Sequence, residues 1–183
     1  MRRSITLATI SLHEVAGGLE RNIIRLANHL VDKGVSVRLV TFDKPHAKPF
    51  FALDERVDFK CLGETSPHAP IGFFARLRLI RKIHRALLSP PSSSAVVCFH
   101  HGILFRYYFP AKIAGAKIIC SERNSLDFYD HIKARKWGVN FLMMFLVDKI
   151  TVQLPRYAED YPSLIRKKIS VVANPVHPQK QNL

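Results

Sequence analysis

The chain has 183 residues, with 28 Lys and Arg against 14 Asp and Glu and a formal net charge of +14. With 48% hydrophobic and 23% charged residues, it can bury a sizeable core and is neither disordered nor low-complexity. Its length fits one domain, and a sequence pI of about 10.1 points to anionic partners: nucleic acid, acidic lipid head groups or phosphorylated ligands.

Met1-Arg2-Arg3 followed by Ile5 to Leu12 has the outline of a signal peptide. Thr6, Thr9 and Ser11 interrupt the apolar run, however, and it continues into His13-Glu14, so a buried first strand explains it better. Gly17-Gly18 form the turn after that strand. A helix follows, because Ile23, Leu26, Ala27, Leu30 and Val31 recur at helical spacing, and Gly34 stops it. Val35 to Phe42 alternates as a second strand, and Val57 to Leu62 is a weaker third. Phe73, Leu77, Ile80, Ile83 and Leu87 mark a helix from Gly72 to Leu88. Pro90-Pro91-Ser92-Ser93-Ser94 is too short for a domain linker and joins that helix to the next strand.

Ala95 to Phe99 and Lys117 to Cys120 are short β-branched runs of the kind buried in parallel sheets. Trp137, Phe141, Met144 and Phe145 mark a further helix, Lys149 to Leu154 a strand, and Ile169 to Ala173 the last strand before Asn174-Pro175. Strands alternating with helices predict an α/β fold, a doubly wound, Rossmann-like parallel sheet. The longest unbroken apolar stretch, Phe141 to Val147, falls far short of the about 20 residues that a membrane-spanning helix needs. Cys61, Cys98 and Cys120 are odd in number and too far apart for a zinc pair, which fits reduced core thiols in a cytoplasmic protein.

Ligands on such a sheet sit at the carboxyl ends of the strands. Gly17-Gly18 there either admit a phosphate to the helix N-terminus or simply make a tight turn. The stretch Ala16-Gly17-Gly18-Leu19-Glu20-Arg21 is not GxGxxG, so Asp43 after the second strand is no sign of a bound dinucleotide. His100-His101 offer an imidazole able to orient or deprotonate a hydroxyl. Strand alternation turns at most one of them to the site, and as a metal pair they are weak. On the loop Ser121-Glu122-Arg123-Asn124, Arg123 can fork onto a phosphate or carboxylate. Alternatively, Glu122 and Arg123 pair locally while Asn124 caps the next helix.

The Gly72–Leu88 helix carries Arg76, Arg78, Arg81, Lys82 and Arg85 beside its apolar stripe, and His131, Lys133, Arg135 and Lys136 precede Trp137. Such basic helices lie on an anionic membrane surface, beside a phosphate-bearing ligand, or against a core with a solvated basic face. No nucleic-acid motif accompanies the charge, so nucleic acid is set aside.

Together these pieces resemble family 4 (group 1) glycosyltransferases. The resemblance rests on Gly17-Gly18-Leu19-Glu20-Arg21-Asn22, Leu26-Ala27-Asn28-His29-Leu30, Lys33-Gly34 and Val37-Arg38-Leu39-Val40-Thr41 at the start. It continues through Ile119-Cys120-Ser121-Glu122-Arg123-Asn124 to Ile169 through Val176 at the end, all in family order. The resemblance implies the N-terminal half of a GT-B fold, with transfer of a sugar from a nucleotide-sugar donor to a glycan or lipid-linked acceptor of the cell-envelope polysaccharide type. It implies no cofactor and no metal. Gly17 and Gly18 would close over the donor diphosphate, His100 or His101 would assist catalysis, and Glu122, Arg123 and Asn124 would line the cleft.

Family members run to about twice this length. The expectation is therefore an acceptor-side domain over 1–175 and a tail over 176–183 leading to an absent donor domain: a truncated product, an excised piece, or half of a two-chain enzyme. Alone it should show little or no transferase activity. Localisation is expected to be cytoplasmic, peripheral on the inner face of the plasma membrane. The alternative is a non-catalytic Rossmann-like module whose basic face recruits an anionic partner or membrane surface.

Overall fold

Runs rich in β-branched residues form the centre of the molecule because a parallel sheet covered on both faces accepts them without alternation. A computed structural model of the chain describes residues 4–63, 72–126 and 138–174. Its strands are β1 (Ser4–Ala8), β2 (Ser36–Thr41), β3 (Asp58–Cys61), β4 (Ala95–Cys98), β5 (Lys117–Ser121), β6 (Lys149–Val152) and β7 (Ile169–Val171). They make one seven-stranded sheet in the order β3-β2-β1-β4-β5-β6-β7, every pair parallel. The helices are α1 (Gly18–Asp32), α2 (Phe73–Leu88), α3 (Leu104–Ile113), α4 (Val139–Met144), α5 (Pro155–Glu159) and α6 (Ser163–Arg166). The doubly wound expectation holds. The second basic cluster (His131 to Lys136), Trp137 and the tail from 176 lie outside the described residues.

The two faces of the sheet are covered unequally. Ile23, Ile24, Ala27 and Val31 of α1 pack with Leu7, Val37 and Leu39 on one face. On the other, Leu79, Ile83 and Leu87 of α2, Leu104 and Tyr107 of α3, and Phe141 and Met144 of α4 join Val40, Val96, Ile118 and Ile150 in the larger core. The buried stripe of α1 is rotated from the predicted one. Ile24 replaces Leu26, which is 37% exposed on the outer side of the helix.

Helix α3 escapes the periodicity argument. Leu104, Tyr107 and Ala111 are buried, but Phe109 and Ile113 on the outer side are also apolar, so no stripe stands out. Pro110 sits within it and masks it further. Arg38 also departs from the alternation that would turn it to solvent, being only 3% exposed. Its guanidinium donates to Asp58 at 2.7 Å and to the carbonyls of Ala86 and Ser89. It thus serves carbonyls at the end of α2 that have no helical partner.

Candidate functional site

Chain connectivity turns in opposite directions at the centre of the sheet. β1 leads through α1 to β2 on one side, and β4 leads through α3 to β5 on the other. The crevice at the carboxyl ends of β1 and β4 is therefore the topological switch point. Gly17 and Gly18 stand above β1, His100 and His101 above β4, and Glu122, Arg123 and Asn124 above the neighbouring β5.

The loop from β1 to α1 is tied down before it reaches the glycines. Asp43 accepts from the Ser11 hydroxyl and, at 2.9 Å, from the Leu12 backbone N–H. Both carboxylate oxygens serve the loop, which accounts for Asp43 without a nucleotide. Gly17 caps α1 and Gly18 is its first residue. A Cβ on Gly17 would fall 2.1 Å from Glu20 Oε2, whereas one on Gly18 would meet nothing within 4 Å. The Glu20 carboxylate thus folds back toward the helix N-terminus, where a negative group is favoured. A phosphate arriving there would displace it.

The histidines depart from the alternation argument because β4 ends at Cys98 and the chain turns into a 3₁₀ turn at His101–Ile103. Their rings stack, with centroids 4.5 Å apart and planes 23° from parallel. His100 is half-buried and accepts the Gly102 N–H at Nδ1, 2.8 Å away. In the neutral ring this places the proton on Nε2. His101 is 2% exposed. Glu122 Oε1 receives its backbone N–H at 2.7 Å, lies 3.1 Å from its Nδ1, and is 3.2 Å from the Cys120 thiol. An ionised carboxylate only accepts, so the proton facing it sits on His101 Nδ1.

Glu122 is 1% exposed. Its carboxylate turns inward to His101, so it orients a histidine rather than meeting solvent. Burial alone would raise its carboxyl. The hydrogen bond from His101 and the charges of His101 and His100 outweigh that and lower it to about 2. Its second oxygen, Oε2, has no hydrogen-bond partner among the described residues. Below it, burial and the Glu122 charge push the Cys98 and Cys120 thiols up, so both remain protonated.

Arg123 does not pair with Glu122. Its guanidinium lies 5.6 Å above the Phe99 ring and donates to Asn174, and burial lowers its affinity for its proton. Asn124 is half-buried on the same loop. Beside them runs a trough of about 560 Å³ between α1 and the ends of β5, β6 and β7, lined by Asn22, Arg25, His29, Arg123, Gln153 and Asn174 among others. Sequence reasoning reached Gln153 and Asn174 as strand ends but missed Asn22, Arg25 and His29. They lie on the outward side of a helix whose inward stripe carried the signal.

On α2, Arg76, Arg78, Arg81 and Arg85 are exposed, but Lys82 is half-buried and donates to the Leu62 carbonyl at 2.7 Å. Among the described residues no group of His, Cys, Asp and Glu is placed to hold a metal. No helix among them is long and apolar enough to cross a membrane.

The sequence profile of Glycosyltransferase Family 4 matches residues 16–180. The chain belongs to this family. Its fold is that of the lipopolysaccharide outer core galactosyltransferase WaaB in its apo form, with 16% identity and a TM-score of 0.67 over 97% of this chain and 50% of that one. Sucrose-phosphate synthase from Thermosynechococcus elongatus matches at 13% identity and a TM-score of 0.63, over 94% of this chain and 48% of that one. The Anabaena protein HepE, solved with UDP and glucose, matches at 12% identity and a TM-score of 0.60, over 94% and 44% respectively. The chain thus spans about half the length of these solved relatives and has the Rossmann-like half of the GT-B glycosyltransferase fold. No curated protein sequence matches it.

Proposed function

We propose that residues 1–175 are the acceptor-side domain of a hexosyltransferase. It works with a donor-binding domain to move a sugar from a nucleotide-sugar donor to a glycan or lipid-linked acceptor of the cell-envelope polysaccharide type. In this reading the domain acts in the cytoplasm, peripheral on the inner face of the plasma membrane, and has little or no activity without its donor-binding partner. The observation that carries the reading is the buried Glu122–His101 pair beside the switch point of a family 4 chain. The carboxylate held ionised in the core accepts from His101 and fixes the stacked imidazoles, where a donor diphosphate and an acceptor hydroxyl would meet. The nucleotide donor is suggested by the UDP and glucose found in HepE.

The residues divide the work. Gly17 and Gly18 let the diphosphate reach the N–H groups of α1 once it displaces the Glu20 carboxylate, and Arg123 and Asn124 bound the cleft at β5. His100, the more exposed histidine, donates a hydrogen bond from its Nε2–H to the leaving diphosphate oxygen as charge develops there. His101, locked by Glu122, holds the His100 ring in place by stacking.

The test fuses the chain to a donor-binding domain and follows a labelled nucleotide sugar. Turnover is expected to fall at least about a hundredfold when His100 and His101 are both replaced by Ala, in line with loss of that hydrogen bond. Undiminished turnover in that double variant would remove the histidines from catalysis. No turnover in any fusion with a folded, nucleotide-binding donor domain would remove the transferase reading.

A further inference from the structure

The outer side of α3 is apolar where a helix facing water is ordinarily polar. Leu104, Tyr107 and Ala111 point into the core. Phe105, Phe109 and Ile113, spaced four residues apart, form a ridge on the other side. Phe109 is 50% exposed and Ile113 73%, and the Phe105 and Phe109 rings pack edge to face with centroids 6.1 Å apart.

Helix α4 repeats the pattern. Phe141 and Met144 turn inward, while Val139, Leu142 and, in the turn after the helix, Leu146 are each at least 40% exposed. The two helices lie side by side and run the same way. At one end the Phe105 N–H donates to Asn140 Oδ1 at 3.4 Å, and at the other Lys112 pairs with Asp148 at 2.7 Å. The apolar side chains of α3 and α4 therefore make one strip, and Lys112, which borders it, has its charge met by Asp148. The outer face of α2 is the opposite case, with Arg78, Arg81 and Arg85 exposed.

The size and shape of the strip say what covers it. Roughly 500 Å² of apolar surface is left in water, within the range at which a patch marks an interface. A stable two-fold interface buries about 800 Å² on each copy around an apolar core, and this strip is the right size for that core. A ridge of residues four apart packs beside the same ridge on a second helix. A two-fold axis beside Phe109, the middle residue, sets it against Phe109 of the partner subunit. Apolar residues then meet apolar residues on either side, whichever way the second helix runs.

We infer that the α3–α4 face joins two copies of this chain into a two-fold dimer with Phe109 at its centre. Both helices lie along the face of the sheet, so the carboxyl-end crevice stays open in each copy. Every copy brings a net charge of +14, so burial works against long-range repulsion, and screening by salt favours the dimer. An anionic lipid surface or an acidic partner would respond to salt in the opposite way.

Sedimentation equilibrium of the whole chain is the test. A dimer with a dissociation constant in the micromolar range or below is expected, and it should tighten with salt. Replacing Phe109 and Ile113 together by Ser should weaken it at least about a hundredfold, because each change removes buried surface on both copies. Leu142→Ser with Leu146→Ser should weaken it roughly tenfold or more. Phe109→Leu should keep the dimer, and Phe73→Ser with Phe74→Ser, on α2, should leave it unchanged. The substituted side chains are exposed, and circular dichroism should show each variant folded.

A chain that stays monomeric at high micromolar concentration would overturn the inference. So would a dimer that both α3 and α4 pairs of substitutions leave intact, or that the α2 substitutions abolish. A monomer that binds neutral phosphatidylcholine vesicles through Phe109 and Ile113 would overturn it in favour of lipid. None of these outcomes depends on turnover, so the inference can fail while the transferase reading stands.

Discussion

The two ends of the sheet treat buried polar groups in opposite ways. At the amino end they close on one another. Ser4 donates to the Pro91 carbonyl, Thr6 and Ser93 share a hydrogen bond, Ser94 donates to the Ser4 carbonyl, and all three donor nitrogens of Arg38 find acceptors. At the carboxyl end the groups are charged and left open. Glu122 takes three donors on one oxygen while the other has none among the described residues, and the same is true of Arg123 Nε. A buried polar atom without a partner costs roughly 1–3 kcal/mol. The amino end is therefore built for stability. The carboxyl end tolerates a cost that stability alone does not explain, which is what a site for ligand and chemistry looks like.

Breaking the amino end should give the largest effect. Arg38→Ala strands the carbonyls of Ala86 and Ser89, leaves Asp58 with Lys60 alone and opens a hole at the foot of α2. The expected loss is about 4 kcal/mol, in the range for breaking a buried charged network. Urea unfolding would register it as a lower midpoint at similar slope. A loss below about 1 kcal/mol would show that the network is not what holds this end, and the contrast between the ends would fail.

The carboxyl end is probed through pH. The Glu122 carboxyl is lowered from 4.5 to about 2 in the folded chain. Its contribution to stability is therefore fully present above the unfolded value near 4.5 and is lost as pH falls toward 2. The size is on the order of 3 kcal/mol. Glu122→Gln keeps an acceptor for the His101 N–H but cannot titrate. Its stability should thus fall less steeply than the wild type over that interval. Parallel pH profiles for the two proteins would show that Glu122 is not held ionised by the histidines, and the open end would lose its central charge.

How much of this was legible in the sequence follows from what kind of signal each feature leaves. The sheet was readable because β1, β2, β4, β5 and β6 are short apolar runs separated by glycines and helical stripes, and their order follows from doubly wound connectivity. The predicted strand ends ran one to four residues too long where a loop carries apolar residues, as at Ile10 and Leu12 after β1. Helix α3 was missed because apolar residues on both its sides erase the 3.6-residue pattern. At the site, the sequence brought His100, His101, Glu122 and Arg123 to one end of the sheet, since residues that end adjacent parallel strands must meet there. It did not separate their roles. The pairing of Glu122 with His101 rather than Arg123, and of Arg123 with Phe99 and Asn174, depends on a 3₁₀ turn and on contacts between residues up to 51 positions apart. Local spacing carries no trace of these.

The smallest effect is expected at Gly18, and it separates the two ends most sharply because stability and function should move in opposite directions. Gly18 is the first residue of α1, and an added Cβ meets nothing within 4 Å. Nothing in the folded domain therefore requires glycine there, and glycine costs a helix stability relative to alanine. Gly18→Ala should raise stability by about 0.5 kcal/mol, a gain of roughly 1–2 °C in the melting temperature for a chain of this size. In a fusion carrying a donor-binding domain, the same methyl group would stand where the diphosphate approaches the helix N–H groups. It should raise the KM for the nucleotide sugar while leaving the fold intact. At Gly17 a Cβ displaces only the flexible Glu20 carboxylate, so Gly17→Ala measures that adjustment separately. A Gly18→Ala chain that is less stable than the wild type would make the glycine structural. One that is more stable with an unchanged donor KM would take the diphosphate away from this turn and leave the carboxyl end to the histidines alone.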